Sequence, residues 1–184
     1  MSSKYKFNNP DGIYFVSFAV VGWIDIFTRQ AYRDLFLESL VHCRKEKNLN
    51  IHAWVIMSNH VHLIISSKTE VKLADLMRDL KKYTAYKILK EIKESVTESR
   101  KEWMLFLFAK AGKQNSNNTN YQFWRQDNHP IELDFHSNMF GQRLNYLHNN
   151  PVEAGIVENA VDYLHSSVRD YQGGKGLIEI DVLQ

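Results

Sequence analysis

The run His52-Ala53-Trp54-Val55-Ile56-Met57-Ser58-Asn59-His60-Val61-His62-Leu63-Ile64-Ile65 constrains the fold more than any other part of the chain. Ser58-Asn59 is turn chemistry between two apolar, β-branched stretches, so a strand from Ile51 to Met57, a tight turn and a second strand from Val61 to Ser66 are expected. Side chains alternate faces along a strand. His60 and His62 therefore point the same way, while Val61, Leu63 and Ile65 take the opposite face and can enter a core with the imidazoles left outside it. Two imidazoles at this spacing form half of a metal site on a rigid ribbon near the rim of a sheet. Histidines also occur at this spacing on half-exposed strands that bind nothing, so the pair alone leaves a surface role open.

The flanking patterns set the architecture. Gly12 to Trp23 is rich in aromatic and β-branched residues on both faces and follows a Pro10-Asp11-Gly12 turn, which predicts a central strand. Thr28 is placed to cap a helix running to about Lys47, with Tyr32, Leu35, Phe36, Leu40 and Val41 as its buried stripe. A second helix is expected from Val71 to about Val96 on the spacing of Leu73, Leu76, Met77, Leu80, Ile88 and Ile92. Trp103 to Ala109 is a short apolar run that ends this helix or adds to the core, and residues 112–120 form a polar loop. A further helix is predicted from Ser137 to about His148, stopped by Asn149-Asn150-Pro151. The segment 172–184 reads as a glycine-marked turn and a tail with a strand from Leu177 to Leu183, on an edge or lent to a partner chain. The order strand, helix, strand, strand, helix suits an α+β fold with an antiparallel sheet covered by helices on one face. The whole of 1–184 reads as a single domain.

Composition excludes several classes. The longest apolar run, Ile13 to Ile24, is interrupted by Ser17 and Gly22 and falls short of the roughly 20 residues that span a bilayer. Met1 to Gly12 has no continuous apolar core of the kind a secretory signal needs, so a cytoplasmic protein is expected. The single cysteine, Cys43, cannot form an internal disulfide and fits a reducing compartment. With a net charge of only +2, nucleic-acid binding has to come from clustering of the 23 Lys and Arg residues.

Taken in order, the segments His52 to Ile64, Leu80-Lys81-Lys82-Tyr83-Thr84, Phe123-Trp124-Arg125-Gln126, Tyr146 to Val157 and Ser166 to Tyr171 resemble the single-tyrosine HUH transposases of small insertion sequences, most closely the REP-associated tyrosine transposase branch. The resemblance covers most of residues 12 to 171. It implies a ferredoxin-like sheet, a divalent metal ion (Mg or Mn) on His60 and His62, and a tyrosine nucleophile on a nearby helix. It further implies cleavage of single-stranded DNA beside a hairpin, with the broken end held as a phosphotyrosine. A metal there would polarise the scissile phosphate, and a tyrosine in place of water would conserve the bond energy for rejoining.

The resemblance also implies a tyrosine a few residues after Phe123-Trp124, where this chain has Asp127-Asn128-His129-Pro130. Asn128 stands at or next to that position, and an amide cannot attack phosphorus. Tyr121 and Tyr146 are the remaining tyrosine candidates, with packing and helix termination as the competing role for Tyr146, and His129 is a further one. Glu132 falls where the resemblance implies a third metal ligand, and a carboxylate suits two imidazoles.

For DNA contacts, Arg78, Lys81 and Lys82 form a patch on one helix face that Lys90 and Lys93 extend, with a solvated face as the competing reading. Trp124 beside Arg125 offers a stacking surface for unpaired bases, unless it is buried. The expected activity is binding of single-stranded or hairpin DNA, with metal-dependent cleavage and rejoining if a nucleophile is present. The alternatives are a DNA-binding protein of the same fold without strand transfer and an unrelated metal-binding domain. A homodimer exchanging the nucleophile helix and a monomer are both compatible with the polar loop before Tyr121.

Overall fold

Tyr14–Ala19 (β1) is apolar on both faces, with Tyr14, Val16 and Phe18 buried on one side and Phe15 and Ala19 buried on the other, and it accordingly lies inside the sheet rather than at an edge. The computed structural model describes residues 6–68, 71–115, 120–134 and 137–183. The remaining elements are α1 (Gln30–Glu46), β2 (Leu49–Ile56), β3 (His60–Ser67), α2 (Leu73–Glu94), α3 (Lys101–Lys113), β4 (Ile131–Glu132), α4 (Met139–Glu153) and α5 (Val168–Tyr171). The strands form a four-stranded sheet in the order β2-β3-β1-β4, with every neighbouring pair antiparallel. Thus α1 joins β1 to β2 across β3, and α2 with α3 joins β3 to β4 across β1. This is the ferredoxin-like α+β arrangement that the resemblance implied.

β2 and β3 form the expected hairpin. The Met57 amide donates to the His60 carbonyl at 2.9 Å, leaving Ser58-Asn59 as the turn. One irregularity in the ladder, between Ile51 and Ala53, shifts the alternation of β2. Ile51, Trp54 and Ile56 therefore face the same core as Val61, Leu63 and Ile65, while Ala53, Val55 and Met57 face the other side.

Helices α1 and α2 cover one face, as expected, and with α3 build the main core there from Phe36, Leu40, Met77, Leu80, Ile88, Met104 and Phe108. α4 adds a layer on the opposite face, where Leu147, Phe140 and Leu144 pack on Phe15, Val55 and Ile64.

Several boundaries differ from the sequence expectations for local reasons. β1 ends at Ala19 because Gly22 (φ 66°) and Trp23 (φ 55°) take left-handed conformations that no strand continues through. Thr28 does not cap α1; its hydroxyl donates to the Asp25 carbonyl. The Trp103 run is neither the end of α2 nor loose core but the separate helix α3, which extends through Gly112 and Lys113. Of the polar loop, residues 116–119 lie outside the described residues. The tail makes no strand. It lies against its own chain, with Ile178 buried in the main core, the Asp181 amide donating to the Ile51 carbonyl at 2.8 Å, and Arg44 paired with Glu179 and Asp181 at 3.1 Å each. No helix among the described residues is long and apolar enough to cross a membrane.

The end of α4 matters most. Pro151 was expected to stop this helix, yet it continues to Glu153. Its stop is Gly155 at φ 68°, where the Gly155 amide donates to the Val152 carbonyl and the Ile156 amide to the Pro151 carbonyl, both at 2.9 Å. That bonding pattern is a Schellman motif. Asn150 is consequently helical, one turn beyond Tyr146 and on the same face.

Candidate active site

Ser17 of β1 pairs with His62 and Ala19 with His60, which puts both histidines on the face that α4 covers. Their rings are 4.8 Å apart between centroids. They are not left outside the protein: His62 is only 4% exposed, stacked on Phe15 at 5.3 Å and met edge-on by Tyr146 at 5.4 Å. The apolar residues on the opposite face of β3 do enter the main core, as their alternation required.

The tautomer of His60 follows from its neighbours. Asn59 Nδ2 donates to Asp25 Oδ1 (3.0 Å) and to the Trp23 carbonyl (3.3 Å), and both are acceptors, which fixes that amide with its oxygen toward His60 Nδ1 at 2.8 Å. Nδ1 must then carry the proton. The lone pair sits on Nε2, where a cation can take it. Burial lowers the His60 pKa, and burial together with the His60 and Arg143 charges brings that of His62 down to about 3. Both rings are therefore neutral at pH 7, the form that ligates metals. His62 Nδ1 is buried without a partner.

Asn150 stands between the two rings. Its Nδ2 lies 3.5 Å from His62 Nε2. Half a turn of that amide would present its oxygen to His62 Nε2 in place of the nitrogen. Arg143, seven positions earlier on the same stripe of α4, lies over the Phe15 ring at 5.4 Å and adds a positive charge beside the pair. Tyr146 is 39% exposed, with its ring against His62 and Phe15. All of this comes from one chain.

Other expectations are corrected. Glu132 is not a third ligand, because it pairs with Tyr14, whose side chain faces the main core, and so it projects from the sheet face opposite the histidines. Its Oε1 accepts from Asn9 Nδ2 at 2.8 Å. Among the described residues no group of three or more His, Cys, Asp or Glu side chains can hold a metal ion. Tyr121 packs against the main core with Lys93 at 4.4 Å from its ring, across the sheet from the histidines, and cannot serve as their nucleophile. Asn128 likewise turns away, its Oδ1 accepting from Lys81 on α2 at 2.8 Å, so the side chain at the slot without a tyrosine does not face the histidine pair. His129 carries a left-handed φ of 40° in the same segment, 4.0 Å from Asp127.

The basic patch divides. Lys81 is half-buried, and burial brings its pKa down to about 8; it donates to the Arg125 carbonyl at 2.7 Å and to Asn128 Oδ1 at 2.8 Å, which holds the 125–128 segment in place. Trp124 is 5% exposed among Phe18, Phe27, Phe36 and Phe123, with its Nε1 donating to Thr84, so it is core and not a stacking platform. Arg78 is exposed but paired with Asp75 and Asp79. Lys82 and Arg125 are exposed along a groove of about 930 Å³ between α2 and residues 120–128, which Tyr86, Lys90 and Lys93 also line.

Sequence reasoning missed Arg143, Asn150 and Asn59 as the orienting group. A helix allowed to run past Pro151 would have shown Arg143, Tyr146 and Asn150 at i, i+3 and i+7.

The structure is similar to that of a REP-associated tyrosine transposase solved bound to a REP hairpin, with 15% identity, a TM-score of 0.67, and coverage of 100% of this chain and 94% of that one. A crystal structure assigned as a transposase of Deinococcus radiodurans R1 matches at 14% identity and a TM-score of 0.43, over 80% of this chain and 97% of that one. No curated protein matches. The family model described as Transposase IS200 like matches residues 24–121, just over half of the 184, including both histidines and ending before α4. On that match, this chain belongs to the IS200-like transposases.

Proposed function

We propose that this protein is an active single-strand DNA transposase that binds hairpin DNA, cleaves beside it and rejoins the ends, with Tyr146 as nucleophile. The observation that carries the reading is the position of Tyr146, whose ring lies 5.4 Å from that of His62 on a helix packed over the histidine face. The resemblance implied a nucleophilic tyrosine, which the segment Asp127-Asn128-His129-Pro130 does not contain. It is supplied from α4.

His60, His62 and the amide oxygen of Asn150 fit a divalent ion. Both imidazoles are neutral, and His60 is oriented by Asn59. Mg or Mn suits an oxygen-containing set open to a phosphate, and when bound such an ion supplies Lewis-acid polarisation of the scissile phosphate. The residues of the chain do the rest. The Tyr146 phenol oxygen attacks phosphorus and loses its proton to water, a tyrosyl phosphodiester forms, and the bond to the leaving sugar oxygen breaks. Arg143 places a guanidinium where negative charge gathers on the phosphate. Reversal by an incoming sugar hydroxyl restores the strand and frees the tyrosine.

Lys82, Lys90, Lys93 and Arg125 along the α2 groove supply phosphate contacts, with binding that weakens as salt rises. Tyr86, 62% exposed in the same groove, offers an aromatic face. The structural relative solved with a REP hairpin supports hairpin DNA as the ligand class.

The test is incubation with end-labelled hairpin DNA and Mn or Mg, resolved on denaturing gels. A covalent adduct that persists in Tyr121→Phe and disappears in Tyr146→Phe is the expected result. Tight binding with no adduct from the unaltered protein would show a DNA-binding protein of the same fold, and no binding at low salt would refute the DNA reading altogether.

A further inference from the structure

Trp23 is a large aromatic residue held where packing alone gives it no reason to be. It is 54% exposed, immediately after Gly22, and both residues have positive φ, a conformation that bulky side chains rarely adopt. The turn is well tied down: the Trp23 amide donates to the Val20 carbonyl at 3.1 Å, and its carbonyl accepts from Asn59 Nδ2, the same amide that orients His60. Its ring meets the His60 ring edge-on at 6.2 Å, and the Arg125 guanidinium lies 5.2 Å from its centroid. Arg125 is itself positioned by its backbone, with its amide donating to the Ala19 carbonyl at 2.8 Å, and it lines the basic groove along α2.

We infer that Trp23, backed by Arg125, is a stacking platform for one unpaired base of the single-stranded flank, at the nucleotide next to the cleaved phosphate. This rests on the DNA-cleaving reading above. The chemistry favours a base over other occupants. An exposed indole beside a guanidinium matches a flat π-face linked to an anionic phosphate. The separation of Trp23 from His60 is one that a single nucleotide spans, with its base on the indole and its phosphate toward the imidazole pair. The groove beyond Arg125 then receives the rest of the strand. The strained turn keeps the ring facing solvent, ready for a base, where an ordinary loop would let it collapse onto the core.

The experiment uses the full chain in a Tyr146→Phe background, so that binding is read without cleavage. Fluorescence anisotropy compares a blunt DNA hairpin with the same hairpin carrying a short single-stranded flank, in the presence of Mn. The quantity of interest is the ratio of the two affinities, which partial unfolding would not change. Trp23→Ala is expected to reduce the preference for the flank about tenfold, Trp23→Phe to retain most of it, and Trp103→Ala, an exposed tryptophan on α3, to leave it intact. Moving an abasic site along the flank should reproduce the Trp23→Ala loss at one position only. A preference unaffected by Trp23→Ala, or an abasic effect equal at every position, overturns the assignment while leaving the DNA reading in place. If Trp23-intact protein binds neither hairpin, the DNA reading falls and this inference with it.

Discussion

The two faces of the sheet are built to different ends. Under α1, α2 and α3 the side chains are almost wholly apolar, from Phe18 and Trp54 in the strands to Phe36, Leu80 and Phe108 in the helices. Under α4 the apolar cluster is smaller (Phe15, Ala53, Val55, Met57, Ile64, Leu133 and Leu147) and shares its space with His62, His148 and Ser167. One face supplies the hydrophobic burial that dominates folding. The other accepts polar groups at a penalty in burial, and it is there that the histidine pair meets Tyr146. The hairpin from β2 to β3 serves both, because alternation sends Val61 and Leu63 to one face and His60 and His62 to the other.

That division can be broken experimentally. On the α4 face, Tyr146→Phe should abolish the covalent DNA adduct, roughly a thousandfold loss or more, while leaving the urea midpoint unchanged, since the ring is 39% exposed and keeps its packing. A variant that retains the adduct would remove Tyr146 from the chemistry. On the main face, Phe36→Ala should do the opposite and lower stability by about 3–5 kcal/mol in urea unfolding, because the side chain is fully buried against Phe18, Phe27 and Trp124. A loss under about 1 kcal/mol would show that this face is loosely packed.

Acid should expose the same contrast. Burial lowers the pKa of His148 and of His165 to about 4, whereas both titrate near 6.5 when unfolded. Between those values the unfolded chain binds protons that the folded chain refuses, so stability falls as pH drops from about 6.5 toward 4. Each residue should account for roughly 2 kcal/mol by about pH 5, read as a lower urea midpoint with chelator present. His148→Gln should flatten its share of that slope; an unaltered slope would mean His148 is not the group that titrates.

Smaller effects sharpen the picture. Asn150→Ala should weaken Mn binding in calorimetry by about tenfold or more as the proposed oxygen ligand is lost, and unchanged affinity would remove Asn150 from the proposed site. Gly155→Ala should cost only about 1 kcal/mol, purely from backbone strain at φ 68°, because an added Cβ meets nothing within 4 Å. A larger effect would show that the helix stop, and with it the position of Asn150, depends on Gly155.

Much of the fold was legible because it rests on local patterns. The Ser58-Asn59 turn, the shared face of His60 and His62, and the buried stripe of α2 each follow from period-2 or period-3.6 alternation over a few residues. Glu132 was misplaced because a strand of two residues gives no alternation from which to read its face. Trp124 was misplaced because aromatic stacking on a base and aromatic packing in a core draw on the same residue type.

The amino-acid order alone determined the ferredoxin-like succession of elements and the pairing of two imidazoles on one ribbon, since both are set by neighbours in the chain. Only the tertiary structure decided which tyrosine stands beside them. Tyr146 lies 84 positions after His62, and nothing local fixes which face of the sheet α4 covers or that Gly155, not Pro151, ends it. Those outcomes depend on long-range packing of Leu147 against the smaller core, a free-energy balance among whole surfaces that no short window of sequence contains.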